Sequence, residues 1–529
     1  MDEQLKSNYW SKRLISRRSL VRGAVLGGAG LAGASLLGCN VLDGDSGGTD
    51  GSKGGTLRSA PDIELSTTDP AFFTSDAEAA IGWQAGENLV VKQHDLSITG
   101  GVAESWETPD QREYTFKLRK NNKFHDGESV TAEDVKFTFD RIFAMEAPPA
   151  GQLGSLAAGT TEVVDENTVK MTLEAPNAFW LNTLSFYQGK IAPQHDDPTN
   201  WGIGKYVGSG PFKMTSNVPG ETTTFERNTD YWDSGNTYFD NIQFFYLPEP
   251  ETRIESLKGG QIDQVNRITA ASVPEVDASP NSRASKATSA SYMTLAMNTL
   301  IAPFNDIRVR QAVQAATNRE QNLSKVLEGL GAVANDHPIA PNDPHYDSGV
   351  AIPGYDLQKA RDLLAAAGYA DGLDVPVTTM GATYHEEIAL TFQEYSRDAG
   401  FNVTIDKKPE DEYWSKWWLN REDVQMLTVN WNGRNPDAAL SIVYHGDAPW
   451  NETFHQDDAL DALIERARGE GDDDRKATYS SIQKHLVEQA YRVIPVFAST
   501  LMGVGTNVRN IEAHPSRWPF LSRGWFEEA

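Results

Sequence analysis

Residues 375–430 read VPVTTMGATYHEEIALTFQEYSRDAGFNVTIDKKPEDEYWSKWWLNREDVQMLTVN, and this stretch decides the fold class. Apolar runs of strand length alternate in it with segments whose apolar residues recur at helical spacing. The pattern predicts three strands and two helices in the order 375–379, 386–399, 401–407, 411–420 and 424–430. Strands that alternate with helices are typical of parallel sheets with helices on their faces. The sequence therefore predicts an α/β protein.

Elements outside this stretch follow the same rhythm. Thr131 is a good N-cap with Asp134 at the third helical position, so a helix is predicted after it. Two more helices are predicted to open at Asn305 and Asp356, and the second ends at Gly368, a residue that readily takes the left-handed conformation. Alternating apolar and polar residues predict strands over 114–118 and 169–173.

The first 39 residues are typical of an export signal. Residues 16–22 (SRRSLVR) precede an uncharged stretch over 23–38, which stops at Cys39, the single cysteine of the chain. This stretch is too short and too rich in glycine for a stable transmembrane helix. The segment resembles a twin-arginine signal joined to a lipoprotein cleavage box. That resemblance implies removal of residues 1–38 and lipidation of Cys39, followed by a flexible stalk that completes the segment 39–55.

Composition excludes several function classes. A net charge of −27 repels phosphate backbones, so nucleic acid is not an expected partner. With Cys39 lipidated, no thiol remains for a disulfide, a zinc site or a nucleophile. The histidines form neither His-x-x-x-His nor His-Glu-x-x-His, and no serine lies in a Gly-x-Ser-x-Gly setting. The one dinucleotide-type glycine pattern, at 28–33, lies inside the export signal. We therefore expect no catalytic residue, no metal site and no cofactor.

Several longer motifs carry a family resemblance. Residues 101–107 (GVAESWE), 114–119 (YTFKLR) and 124–139 (FHDGESVTAEDVKFTF) are followed by four further landmarks in a fixed order. These landmarks are 208–212 (GSGPF), 228–232 (NTDYW), 303–312 (PFNDIRVRQA) and 359–369 (KARDLLAAAGY). Over residues 56–529 the chain resembles the family 5 (peptide and nickel type) solute-binding proteins of ABC importers.

The resemblance implies a periplasmic-binding-protein type II fold with two lobes and an inserted domain. On that template lobe 1 consists of 56–88, 191–290 and 500–529, the inserted domain of 89–190, and lobe 2 of 291–499. The chain would cross between the lobes near 291–298 and near 493–499. Two such crossings permit a bending motion and prevent free rotation.

The same resemblance implies a receptor without covalent chemistry. It would be a monomer on the outer face of the cytoplasmic membrane, held there by its lipid alone. It would bind a small organic molecule, a short peptide or another carboxylate-bearing compound, and deliver it to an ABC permease and ATPase complex. Two alternatives stay open, namely a binder of nickel or a metal chelate and a sensory receptor that presents ligand without import.

The strongest candidate for ligand contact is the loop 430–437 (NWNGRNPD), which contains Trp431, Asn432, Arg434 and Asp437. It follows an apolar strand and so lies at the carboxyl end of that strand, where open α/β sheets bind ligands. In peptide-binding members of the family the loop resembles Trp-x-x-Asp, and the aspartate pairs with the α-amino group of the peptide. Arg434 occupies that position here and favours a ligand with a carboxylate. Alternatively, Arg434 pairs with Asp437 or another acidic residue and only shapes the loop.

Other candidates come from three further segments. The resemblance places the 69–76 region in the lobe 1 contact surface, and the crossing near 291–298 is a possible floor of the site. A third group has partly helical spacing, which is more typical of packing than of binding. The candidate residues are Phe72, Phe73, Thr74 and Asp76 in the first segment, Tyr292, Met297 and Asn298 in the second, and Trp417 with its neighbours Tyr413, Trp414 and Trp418 in the third.

Overall fold

The computed structural model describes residues 51–527 except 62, 152, 154, 155, 382 and 383. The predicted export signal, the lipidation of Cys39 and the stalk up to residue 50 lie outside the described residues. None of the helices in the described part of the chain is both long and apolar enough to cross a membrane.

The strands of the described chain are short, with two exceptions in the second half. They are β1 (Thr56–Ala60), β2 (Val90–Lys92), β3 (Ile98–Gly100), β4 (Ala103–Glu107), β5 (Glu113–Leu118), β6 (Leu156–Asp165), β7 (Thr168–Leu173), β8 (Phe212–Val218), β9 (Thr222–Arg227), β10 (Asn241–Phe245), β11 (Gln264–Val265), β12 (Ser282–Met297), β13 (Gly331–Val333), β14 (Leu373–Met380), β15 (Phe401–Lys408), β16 (Met426–Trp431), β17 (Arg492–Gly505), β18 (Val508–Arg509) and β19 (Trp525–Phe526).

The helices follow the strands in alternation over much of the chain. They are α1 (Asp76–Ala85), α2 (Ala132–Ala144), α3 (Trp180–Leu184), α4 (Pro250–Lys258), α5 (Val273–Ala278), α6 (Ile307–Ala316), α7 (Arg319–Val326), α8 (Leu357–Ala366), α9 (His385–Ser396), α10 (Glu410–Glu412), α11 (Pro436–Ala439), α12 (Asp458–Gly469) and α13 (Asp472–Gln489).

One large sheet runs through the molecule in the order β15-β14-β16-β12-β17-β11-β1-β10-β9-β8, with β13 also paired to β17. We call β8, β9, β10, β1 and β11 the first half-sheet and β13 to β16 the second half-sheet. Strand β1 is parallel to β10 and β11, and β14 is parallel to β15 and β16. The α/β prediction is confirmed. The expectation of parallel sheets alone is wrong, because β12 and β17 run antiparallel to each other and to their neighbours.

The two long strands β12 and β17 join the half-sheets. Residues 282–288 of β12 pair with 499–505 of β17 beside the first half-sheet, and residues 292–296 pair with 492–497 beside the second. The register shifts between these two stretches, so 289–291 form a β-bulge where the strand passes from one half-sheet to the other. The lobe boundaries given above stay a prediction.

A separate four-stranded sheet has the order β4-β5-β7-β6. Its core includes Phe116, Phe139 and Val169, all fully or almost fully buried. Helix α2 packs on this sheet and begins with the predicted capping box, in which the backbone N–H and the hydroxyl of Thr131 both donate to Asp134 at 2.9 and 2.8 Å.

Two predicted helices differ in the structure. The helix expected from Asn305 begins at Ile307, because the carboxylate of Asp306 accepts from the Arg308 N–H and caps it. The helix expected over 411–420 is short: three residues of α10 are followed by a wide π turn over Tyr413–Trp417. The Tyr413 side chain is fully buried, and its hydroxyl donates to the Thr428 carbonyl at 2.6 Å, which ties this turn to β16.

Candidate ligand-binding site

A cavity of about 700 Å³ lies between the two half-sheets. Helix α4 and the segment 266–275 line one side of it, and Tyr384 with Asn430 line the other. The central strands β12 and β17 contribute the wall between them through residues such as Ser291 and Ser499. Ligand sites in proteins commonly have volumes of about 300 to 1,000 Å³, so this cavity has the right size for a small organic molecule.

The bulge in β12 forms part of this wall. The Ser289 hydroxyl donates to the Ala498 carbonyl at 3.0 Å and accepts from the Ser291 N–H at 3.1 Å. The Ser291 hydroxyl in turn accepts from the Gly433 N–H at 2.9 Å. A Cβ on Gly433 would lie 3.0 Å from the Ser291 nitrogen, so a larger residue would require the backbone to shift by a few tenths of an ångström. The predicted ligand loop is thereby held on the bulge.

Arg434 occupies the outer part of this loop. Its guanidinium donates to the Asn432 carbonyl at 3.0 Å and lies over the indole rings of Trp431 and Trp450, 5.3 and 5.6 Å from their centroids. In the described part of the chain no carboxylate lies within ion-pair distance of it. Burial lowers the pKa of Arg434, and the positive charge of Arg517 adds to that shift.

Arg434 does not line the larger cavity but a smaller one of about 100 Å³, together with Lys92, Phe179 and Asp343. Burial lowers the pKa of the Lys92 ammonium to about 8. Asp437, the other charged residue of the loop, is buried and accepts from the Arg468 guanidinium at 2.7 Å. Arg434 therefore does not pair with Asp437, the alternative left open by the sequence.

A buried network supports the loop from below. The Trp431 indole N–H donates to Glu452 at 3.0 Å, and Arg492 donates to the same carboxylate at 2.7 Å. The side chains of this ion pair are 0 and 1 % exposed. The Arg492 guanidinium lies over the Tyr444 ring, whose hydroxyl is 3.5 Å from that of Tyr292, and burial raises the pKa of Tyr292 to about 12. Tyr292 and Trp431 thus have fixed orientations.

The candidates from the 69–76 region lie elsewhere. Phe73 is fully buried in the core and contacts Gly82, and Phe72 packs against the core of the four-stranded sheet. Thr74 is exposed, and its N–H donates to Glu78 at 2.7 Å. Asp76 begins α1, and its side chain lies outside the described residues. Phe72, Phe73 and Thr74 line neither cavity, and their role in binding stays a prediction.

The remaining candidates have structural partners. The Asn298 amide donates to the carbonyls of Arg421 and Val424 at 3.0 and 2.9 Å, and Met297 is fully buried. The Lys408 ammonium lies over the Trp417 ring, 3.9 Å from its centroid. These side chains line neither cavity, so their contact with ligand also stays a prediction.

Sequence reasoning missed much of the cavity wall. Arg267, Tyr384 and Arg517 line the larger cavity, yet they come from three segments that are far apart in the chain. Tyr384 has a left-handed backbone with φ of 69° directly before α9, a conformation uncommon for a tyrosine. The described residues hold no group of three or more histidine, cysteine, aspartate or glutamate side chains placed to bind a metal ion.

The sequence profile of the bacterial extracellular solute-binding proteins, family 5 (middle region), matches residues 97–451. The chain belongs to this family. As a family 5 protein it has relatives that are solute-binding transport proteins and not enzymes, and its fold is the multi-domain, type II periplasmic-binding-protein fold that the sequence motifs implied.

Known family 5 proteins resemble this one over most of its length. Di/tripeptide-binding protein 1 of Pseudomonas aeruginosa is 25% identical over 477 residues, which cover 82% of this chain and 87% of that protein. The structure of HbpA2 from Haemophilus parasuis has a TM-score of 0.82 at 21% identity and covers 90% of this chain and 100% of its own. AgaA from A. tumefaciens R10, solved with agropinic acid, has a TM-score of 0.70 at 25% identity, with coverages of 90% and 99%.

Proposed function

We propose that this family 5 protein is the lipid-anchored, monomeric substrate-binding component of an ABC importer. Its substrate is a small organic solute with a carboxylate, such as a short peptide. The observation that carries the proposal is the cavity of about 700 Å³, which α4 and the segment 266–275 line on one side and Tyr384 and Asn430 on the other. A ligand that contacts both walls binds the closed form better than the open form and shifts a pre-existing equilibrium toward closure.

The Arg434 guanidinium, which lies in the loop beside the larger cavity and lines the smaller one, favours an acidic ligand. Arg434 has no carboxylate partner in the described chain, and Arg517 is close enough to shift its pKa. A guanidinium without an ion-pair partner, in a chain of net charge −27, makes a local positive site for an anion. The relatives support the same chemistry: one is named for di- and tripeptides, and another was solved with agropinic acid.

A thermal-shift screen tests the ligand class. The purified protein is mixed with dipeptides, tripeptides and sugar acids, each paired with its amide or its neutral sugar. We expect the carboxylates to raise the melting temperature and the amidated or neutral partners to raise it less. Stabilisation by neutral sugars alone would contradict the proposed ligand class.

The membrane anchor is tested at Cys39. Mass spectrometry of the amino-terminal peptide from washed membranes should find a lipidated Cys39 as the first residue. The Cys39→Ser variant should move to the soluble fraction, while a control, Ser46→Ala, should stay with the membranes. A Cys39→Ser variant that stays membrane-bound overturns the anchor.

An uptake assay distinguishes a component of an importer from a sensory receptor. Cells that lack this protein should lose uptake of a labelled ligand found by the thermal-shift screen, and the restored gene should recover it. Unchanged uptake, together with a lost transcriptional response to the same compound, would favour a sensory receptor.

A further inference from the structure

Two asparagine side chains in the wall of the larger cavity make no hydrogen bond within the described chain. Asn266 follows β11, is 5% exposed, and has a buried amide oxygen without a partner. Asn430 is the penultimate residue of β16, and its amide oxygen is likewise buried and without a partner. Only the backbones of the two residues are engaged, by Ala60 and by Met293.

Other asparagines with a buried, unpartnered amide oxygen differ in one respect. In each of them the amide nitrogen donates a hydrogen bond to another group of the protein, so one half of the carboxamide is satisfied. The pairs are Asn122 with Glu87, Asn322 with the Asn318 carbonyl, Asn335 with the Val350 carbonyl and Asn342 with the Thr288 carbonyl. Asn266 and Asn430 use neither half. A folded protein rarely leaves a buried polar group unpaired, and such exceptions are expected at functional sites.

The two carboxamides belong to opposite sides of the cavity. Asn266 extends the first half-sheet, and Asn430 lies in the second. A molecule that bonds to both therefore connects the half-sheets through the ligand. A carboxamide has an N–H donor and a carbonyl acceptor side by side. The ligand group that satisfies both must therefore also donate one hydrogen bond and accept another. A carboxylate would leave the amide oxygen unpaired, and an ammonium would leave the amide nitrogen unpaired.

We propose that Asn266 and Asn430 are a pair of specificity-determining residues that bind the amide groups of the ligand from opposite sides of the cavity. This inference rests on the proposed function and narrows it from carboxylate-bearing solutes to those that also contain an amide, as peptides do. Arg434 then binds the charged end of the ligand, and the two asparagines bind its uncharged middle.

The test combines calorimetry with thermal unfolding of the protein. The probes are tri-L-alanine and its analogue with L-lactate in place of the central alanine, which exchanges one peptide N–H for an ester oxygen. We expect the wild type to bind tri-L-alanine at least about fivefold more tightly than the ester. Asn266→Leu and Asn430→Leu should each weaken tri-L-alanine at least about tenfold and remove the preference. Equal affinity of the wild type for both probes overturns the proposal.

The second part of the test, thermal unfolding, is carried out without ligand. Because leucine has nearly the shape of asparagine and needs no hydrogen-bond partner, Asn266→Leu and Asn430→Leu should leave the melting temperature of the free protein unchanged or raise it. A matched control, Asn322→Leu, breaks the bond to the Asn318 carbonyl and should lower the melting temperature with no change in affinity.

The outcomes separate the two proposals. If both cavity variants lose about 2 °C or more of melting temperature, the amides serve the fold and the inference fails. It also fails if tri-L-alanine binds the cavity variants within twofold of the wild type. If the wild type binds neither probe, the peptide form of the proposed function fails and the inference fails with it, whereas equal binding of both probes overturns the inference alone.

Discussion

Arg434 packs against the indole rings of Trp431 and Trp450 and has no carboxylate within ion-pair distance in the described chain. The positions of Trp431 and Tyr292 beneath it are fixed by the buried pair of Glu452 and Arg492. Removal of one partner from such a pair leaves a buried charge without compensation, which commonly costs about 3 to 5 kcal/mol. The guanidinium therefore projects from a rigid support.

The first prediction concerns this guanidinium. Arg434→Ala should raise the dissociation constant of a carboxylate ligand about a hundredfold, or ~3 kcal/mol, because a charge-assisted pair is lost. Arg434→Lys should recover part of the affinity, since lysine keeps the charge but not the forked geometry. Calorimetry on a ligand from the thermal-shift screen measures both. The amide of the same ligand is the control, and less than a threefold change for the acid contradicts the assignment of Arg434.

The second prediction concerns Glu87, a buried carboxyl outside the cavities. It accepts from the Tyr231 hydroxyl at 2.8 Å and from the Trp232 indole N–H at 2.9 Å, and burial raises its pKa to about 7. The pKa of Glu87 in the unfolded chain is near 4.5. Between pH 4.5 and about pH 7 the native state therefore binds the proton more tightly than the unfolded state does. This group's contribution to stability is complete below pH about 4.5 and is lost as the pH rises through about 7.

The Glu87→Gln variant should remove this dependence. Between pH 5 and pH 7 the free energy of unfolding of the wild type should fall by about 2 kcal/mol more than that of the variant. Denaturant titrations of both proteins at the two pH values measure the difference, and other titrating groups cancel in it. Parallel curves for the two proteins would show that Glu87 titrates normally.

At the scale of elements, the contact between the 432–435 loop and the bulge in β12 couples the predicted ligand loop to the strand that joins the half-sheets. The Gly433 N–H donates to Ser291, a residue 142 positions away in the chain. The atoms nearest to a Cβ on Gly433 are backbone atoms of Ser291 and Ala290, at 3.0 to 3.2 Å, and a backbone cannot rotate away as a side chain can.

The third prediction follows from this contact. Gly433→Ala should displace the loop by a few tenths of an ångström and weaken ligand binding at least about fivefold, since small shifts at a binding site are costly. The melting temperature should change little, because the loop itself is solvent-exposed in part. Gly354→Ala is the matched control, as its Cβ would meet no atom within 4 Å. Unaltered affinity in Gly433→Ala would falsify the coupling.

Local patterns predicted the elements better than their assembly. The strand before the ligand loop and the capping box at Thr131 were predicted because the residues that form them are adjacent in the chain. The π turn over Tyr413–Trp417 was not predicted, and a helix over 411–420 was expected in its place, because the fixed position of Tyr413 depends on a hydrogen bond to β16. Asn266 and Arg517 were not predicted for the same reason. They reach the cavity only through contacts between segments far apart in the chain, such as the pairing of β11 with β17.

At the scale of the whole molecule, β12 and β17 are the strands through which the half-sheets meet in the large sheet, as far as residues 51–527 describe it. Strand β12 has 16 residues, a length of roughly 50 Å, and its bulge lies beside the cavity. A bulge already disrupts the regular ladder of hydrogen bonds, so a bend there breaks few of them. This is the place where the expected bending motion requires the least rearrangement.

The fourth prediction concerns closure. Small-angle scattering of the protein should show a smaller radius of gyration after addition of a saturating ligand, because the half-sheets approach each other. A compound from the same screen that leaves the melting temperature unchanged is the control and should leave the scattering curve unchanged. A bound ligand with an unaltered curve would show that the cavity is rigid.

The pairing of β17 has a consequence for biosynthesis. Residues 492–505 supply the neighbour of β11, β12 and β13, so each of these strands keeps one edge unpaired until residues 492–505 have left the ribosome. A premature stop before residue 492 removes the strand that lies between β11 and β12, and the two half-sheets then lose the continuous hydrogen-bonded ladder that joins them.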